Sequence, residues 1–256
     1  MRYDCCTNYV VQKKLHRDSQ RKKSFFKRLF DRKTILTIFQ TQKQPQMHPF
    51  STEFKEALRH LPIKEKDKLI VRLLKKDLNL AKRLMFELVD TRSVDEHRLI
   101  VEKLIISQVA RMSNNYYSIG YLNVDVRHLS ADITDHVRTT KDKYGNASLN
   151  LLLLNEVLKL NKDNIAKARP RAKLYKFCTA IIARVYKVLI LINKMDNDLL
   201  LDFKPDLITL GKLISENEIV MDTAINQGLD VNWLLFAEIP EDIASIHKNL
   251  KASGLW

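Results

Sequence analysis

The sequence predicts an all-α protein, an irregular helical bundle or a short αα-superhelix of antiparallel helix pairs. Three observations carry that prediction. Glycine and proline are scarce, five and six among 256 residues, so a turn-rich β architecture lacks its punctuation. Strong helix formers, Leu and Lys foremost, fill the long segments. Apolar residues recur at i, i+3, i+4 and i+7 through most of the chain beyond residue 47.

Charge divides the chain. The formal net charge is +14, and residues 1–46 hold 12 Lys/Arg against 3 Asp/Glu, +9 of that total. Basicity therefore belongs to a leader, and the remainder is only mildly basic. We expect 1–46 to be a disordered basic leader and 47–256 a single helical domain. Ser24 to Phe39, SFFKRLFDRKTILTIF, is the exception in the leader: its mix of aromatic and basic residues suits a short helix on a membrane surface or against RNA. No apolar run precedes a small-residue cleavage site, so a secretory signal is not expected, and the leader is poor in Ser for a transit peptide. Met47 opens MHPFSTEF just before the first clean helix and is a second candidate start; a protein begun there should lose the leader without unfolding. Three cysteines, Cys5, Cys6 and Cys178, form no spacing pattern, which implies a reducing, cytoplasmic setting and no disulfide framework. No Cys/His spacing matches a zinc site.

The elements follow in order. Phe50 to Leu61 reads as a helix with Phe50, Phe54, Ala57, Leu58 and Leu61 on one face. Leu61 to Asp90 reads as an αα-hairpin. Pro62 suits a first helical turn, and Leu69, Ile70, Leu73 and Leu74 form an apolar arc. The pattern breaks at Asp77 to Asn79, and a second stripe runs through Leu80, Ala81, Leu84, Met85 and Leu88. Ser93 and Glu96 form a capping box that opens a helix to about Arg111, with Leu99, Ile100, Leu104, Ile105 and Val109 expected inward.

Ser113 to Tyr121, SNNYYSIGY, reads as a loop or short irregular helix. A polar helix is expected from Asn123 to Lys143, with Val126, Leu129, Ile133 and Val137 as its stripe. Tyr144-Gly145-Asn146 is expected to stop it, with Gly145 in a left-handed position. Ala147 to Leu160 is apolar all round and should be central core. After a polar linker, Asn161 to Arg171, the longest helix spans about Ala172 to Asn197. Lys176, Arg184 and Lys187 interrupt its apolar run, which excludes a transmembrane span. Pro205 should open a helix to Ile214, followed by helices over Glu216–Gln227, Val231–Phe236 and Pro240–Lys251. Trp233 and Trp256 are expected to cover apolar surface. Helix pairs of this length suit a HEAT-like stack, but no repeat signature recurs.

Three groups of residues carry possible chemistry. Lys64, Lys68, Arg72, Lys75 and Lys76 form a basic arc opposite the apolar arc of the first hairpin helix. It suits the phosphates of a nucleic acid, or simply keeps a Leu-rich helix soluble. Glu53-x-x-Glu56 and Glu87-x-x-Asp90 are paired acids at i and i+3, a spacing that sets two carboxylates on one helix face where they can hold Mg²⁺ against a pyrophosphate. This pattern resembles that of the all-α nucleotide pyrophosphohydrolases, the MazG and all-α dUTPase group. That resemblance covers residues 53–90 and implies Mg²⁺-dependent cleavage of nucleoside triphosphates with Glu53, Glu56, Glu87 and Asp90 as metal ligands. The plain alternative is surface acid balancing neighbouring lysines. Lastly, His128, Asp132, Asp135 and His136 share a helix face at a spacing that suits a transition metal. Cys178 sits among Phe177 and Ile181 and reads as a small core residue. There is no glycine-rich phosphate loop and no dinucleotide fingerprint.

LPIKEKDKLIVRLLKKD, Leu61 to Asp77, resembles the opening of a helical protein family of Bacteroidetes-type bacteria. The resemblance implies a cytoplasmic bacterial protein and no particular activity. The expected function is that of a non-enzymatic interaction scaffold, with a protein partner or a second copy as ligand and no cofactor. A Mg²⁺-dependent pyrophosphohydrolase and a nucleic-acid-binding protein are the alternatives.

Overall fold

The computed structural model describes residues 51–254, and every regular element among them is helical. The leader, the candidate start at Met47, Cys5, Cys6 and Trp256 lie outside the described residues. The chain falls into two compact units that meet within one helix, between Ile70 and Val71.

In the first unit, α1 spans Thr52–His60 and α2 starts at Ile63 and runs to Lys76. Ser51 caps α1 by accepting from the Phe54 N–H, and Pro62 precedes α2. Neither helix contains a fully buried residue.

In the second unit α3 spans Leu78–Leu88 and is capped by Asp77, which accepts from the Asn79 and Leu80 N–H groups. Asp77 is the whole joint between α2 and α3, shorter than the roughly two to five residues of an αα-hairpin loop. The expected hairpin is corrected accordingly: α3 packs on α5, Ile119–Thr140. Between them runs α4, Val94–Asn114, opened by the expected capping box, with Ser93 and Glu96 exchanging both hydrogen bonds.

The inward face of α4 is not the one expected. Ile105 and Val109 are buried with Val101 and Met112 beside them, whereas Leu99, Ile100 and Leu104 are exposed. α4 is apolar over most of its circumference, so periodicity alone does not single out a face. α5 begins earlier than expected because Ser118 caps it, accepting from the Tyr121 N–H. Val126, Leu129 and Ile133 are buried as anticipated, joined by Ile119 and Leu122.

The stop between α5 and α6, Lys143–Leu160, also differs. Lys141, not Gly145, takes the left-handed conformation (φ 62°), and Asp142 caps α6. Gly145 sits in the first turn of α6, where its N–H donates to Asp142. α6 is the central element, packed against α4, α5, α8 (Arg171–Ile192) and α9 (Asn197–Ser215). Leu149, Leu151, Leu153, Leu154 and Val157 are wholly shielded from solvent, as an all-round apolar helix requires.

The expected linker contains a short helix, α7, Lys162–Lys167. Pro205 lies inside α9 rather than at its start. A proline there leaves the carbonyl four residues earlier, that of the exposed Leu201, without its helical donor. α10 (Glu218–Asn226), α11 (Asn232–Leu235) and α12 (Ile243–Ala252) complete the unit around α8 and α9, with Trp233 packed against the core. Among the described residues no helix is long and apolar enough to cross a membrane.

One buried polar cluster pins three helices together. Asp142 accepts from Arg98 Nε at 2.7 Å and from an Arg98 terminal nitrogen at 3.0 Å. It also accepts from the Gly145 N–H at 2.7 Å and meets His136 Nε2 at 3.2 Å. The Asp142 and His136 side chains are each 3% exposed. The Arg98 guanidinium also lies 4.8 Å from the centre of the Tyr144 ring. Arg98 belongs to α4 and His136 to α5, while Asp142 caps α6. Burial works against the Asp142 carboxylate, but hydrogen bonds from His136, Arg98 and Gly145 outweigh it and hold its pKa well below the usual range.

Candidate functional site: an apolar cleft at the end of α3

α3 is amphipathic, and its last turn meets the first turn of α4 over a short link. The joint encloses a cleft of about 480 Å³. Met85, Phe86 and Val89 come from the end of α3, Asp90 and Thr91 from the link, His97 from α4, and Thr139 from the last turn of α5. Phe86 and His97 meet edge to face, centroids 5.0 Å apart and planes at 87°.

The polar corner of the cleft is fixed. Asp90 accepts from Arg92 Nε at 2.9 Å, a terminal Arg92 nitrogen at 2.7 Å and the Arg92 N–H at 3.0 Å. It also lies 2.8 Å from His97 Nε2. The Arg92 guanidinium, foremost among these, holds the Asp90 carboxyl well below the usual carboxylate range. An acid beside a histidine is half of a nucleophile-activating set. Here the carboxylate is bonded to arginine, and no serine or cysteine lines the cleft. The arrangement orients the imidazole against Phe86.

The mouth of the cleft is apolar. Met85 is 66% exposed and Val89 69%, and Leu88 beside them is 78% exposed. Leu99, Ile100 and Ile106 are exposed on α4. Of these, Ile100, three residues after His97, shares the His97 face of α4, whereas Leu99 and Ile106 lie on its opposite side.

The residues singled out from sequence fall as follows. Glu53 and Glu56 lie on α1, both exposed, and Glu53 is held below the usual range by its own backbone N–H and the Ser51 hydroxyl. Glu87 is ion-paired with Arg83 at 3.1 Å, and Asp90 is committed to Arg92 and His97. Lys64, Lys68, Arg72, Lys75 and Lys76 are all exposed on α2, and Lys68 bonds Glu65 at 3.1 Å. On α5, His128 and Asp132 face solvent and Asp135 bonds Lys82 at 3.0 Å, whereas His136 turns inward to Asp142. Among the described residues no group of three or more His, Cys, Asp or Glu is placed to hold a metal ion. Sequence reasoning missed His97 and Phe86; their spacing across a helix boundary gave no periodic signal. No family model matches this chain, and neither the curated proteins nor the solved structures contain a match.

Proposed function

We propose that this chain is a non-enzymatic cytoplasmic interaction protein that docks apolar side chains of a protein partner or a second copy in the α3–α4 cleft. The observation that carries the reading is that Met85 and Val89 line the cleft while largely exposed, with Leu88 exposed beside them in sequence. Burying such side chains contributes about 25 cal/mol per Å² of apolar surface removed from water, a gain that an isolated chain leaves unused. The rigid Asp90–Arg92–His97 corner fixes the cleft's shape, which lowers the ordering cost of docking.

The test uses the full chain with a photo-crosslinking residue at position 88 and, as a control, at the exposed Lys204. Position-88 adducts that disappear with Met85→Asp, together with clean controls at 204, support the reading. The adduct's mass separates a second copy from a different partner. Equal labelling at 88 and 204, or adducts indifferent to Met85→Asp, would overturn it. Asp90 and Glu87 already have cationic partners, which favours this reading over the Mg²⁺-dependent pyrophosphohydrolase.

A second reading rests on α2. Lys64, Arg72, Lys75 and Lys76 are exposed and have no ion-pair partner among the described residues, which suits a phosphate backbone. Binding to nucleic acid should then weaken steeply with salt, and reversal of Arg72 and Lys75 to Glu should flatten that slope by about one unit per lost contact. A slope unchanged by both reversals would remove this reading.

A further inference from the structure

We propose that the α4–α5 corner is a binding site for a methylated ammonium group, a quaternary nitrogen carried by a small molecule or by a methylated lysine side chain. The site is separate from the α3–α4 cleft and does not depend on it.

α4 ends at Asn114, and α5 begins at Ile119 after four intervening residues. This tight corner gathers three tyrosines, Tyr116, Tyr117 and Tyr121, around a pocket of about 260 Å³. Tyr117 and Tyr121 stand at right angles, centroids 5.1 Å apart and planes at 88°. Both rings are largely exposed, 81% and 62%, so their faces are open to a ligand. Tyr116 is half-buried, and its phenol is shifted up by burial. Met112, from the last turn of α4, also lines the pocket.

The decisive residue is Asp125. It lies four residues after Tyr121, on the same face of α5, and it also lines the pocket. Its carboxylate makes no hydrogen bond or ion pair among the described residues, in a chain where most half-buried acids are paired. Aromatic rings attract cations through the negative potential of their faces, and the carboxylate adds a full opposite charge. An apolar ligand would gain nothing from Asp125. A compact ammonium ion such as lysine's would stay strongly hydrated, whereas methyl groups on nitrogen match the aromatic walls and keep the charge. A methylated ammonium satisfies both halves of the pocket.

The site is stabilised by local structure rather than by the ligand. Ser118 caps α5 through the Tyr121 N–H, and the Asn115 side chain donates to the Arg111 carbonyl at 3.0 Å. The perpendicular ring pair is therefore in place before binding.

The experiment titrates the full chain with choline, with a peptide bearing trimethyllysine, and with 3,3-dimethylbutanol, the uncharged isostere of choline, and follows tyrosine resonances by NMR. Choline and the peptide should shift Tyr116, Tyr117 and Tyr121, and the isostere should bind at least about tenfold more weakly. Tyr121→Leu and Asp125→Asn should each weaken choline about tenfold, while circular dichroism stays unchanged because both positions have solvent access. A peptide affinity well above that of choline assigns the site to methylated lysine; equal affinities assign it to a free quaternary ammonium. Isostere binding as tight as choline, indifference to Asp125→Asn, or the absence of any tyrosine shift with all three probes would overturn the proposal.

Discussion

Replacing Asp142 by alanine removes the acceptor shared by four donors on three elements. Arg98 loses two hydrogen bonds, Gly145 loses the cap of α6, and the His136 ring loses its contact with Asp142. Removing one member of a buried ion pair costs about 3–5 kcal/mol, because the remaining charge stays buried and unpaired. Arg98 keeps Asp95 at 3.0 Å and the Tyr144 ring, so the low end, about 3 kcal/mol, is expected. For a domain of this size that corresponds to a fall in Tm of roughly 6–12 °C, read by urea and thermal denaturation of the full chain.

The loss should also depend on pH. The folded-state pKa of Asp142 is depressed. Its contribution is therefore fully present above the unfolded value of about 3.9 and is lost as pH falls through the folded value. The gap between wild type and Asp142→Ala should be constant near neutrality and shrink below about pH 4. A loss of under about 1 kcal/mol, or a gap that does not narrow with acid, would show that the cluster is not the pin described.

Two further outcomes are expected. A methyl group at Gly145 would overlap the Asp142 carboxylate, so Gly145→Ala should destabilise by about 1–3 kcal/mol and by clearly less in an Asp142→Ala background. Equal cost in both backgrounds in urea titrations would disprove the coupling. The Cys178 thiol is pushed up to about 11 by burial, so at pH 8 iodoacetamide should label it only after unfolding. Peptide-level mass spectrometry showing equal labelling in native and urea-treated protein would contradict its placement in the core.

How much of this was legible depends on the kind of signal. The capping box at Ser93 and the all-round apolar character of Leu149 to Val157 are local, and both hold. The inward face of α4 was not legible, because apolar residues occupy most of its wheel and only packing selects Val101, Ile105, Val109 and Met112. Tyr144-Gly145-Asn146 looked like a stop because glycine often ends helices. The competing signal was Asp142, a residue type that favours helix starts, three positions earlier. The Arg98–Asp142 pair joins residues 44 apart, and no periodicity reports such a contact. For the tyrosine corner the rings were visible in SNNYYSIGY, but their perpendicular meeting depends on α5 starting at Ile119, four residues before the expected Asn123.

The position of α6 in the chain bears on how the protein is made. Two of the helices that enclose it precede it and two follow, the last ending at Ser215. At synthesis rates of about 5–20 residues per second, the 55 residues between Leu160 and Ser215 take roughly 3–11 s. For that interval an emerging chain presents the run Leu151 to Leu154 with half its enclosure missing. Transiently exposed apolar surface of this kind is what makes an unfinished chain prone to aggregation, and slower translation between α6 and α9 would lengthen that exposure.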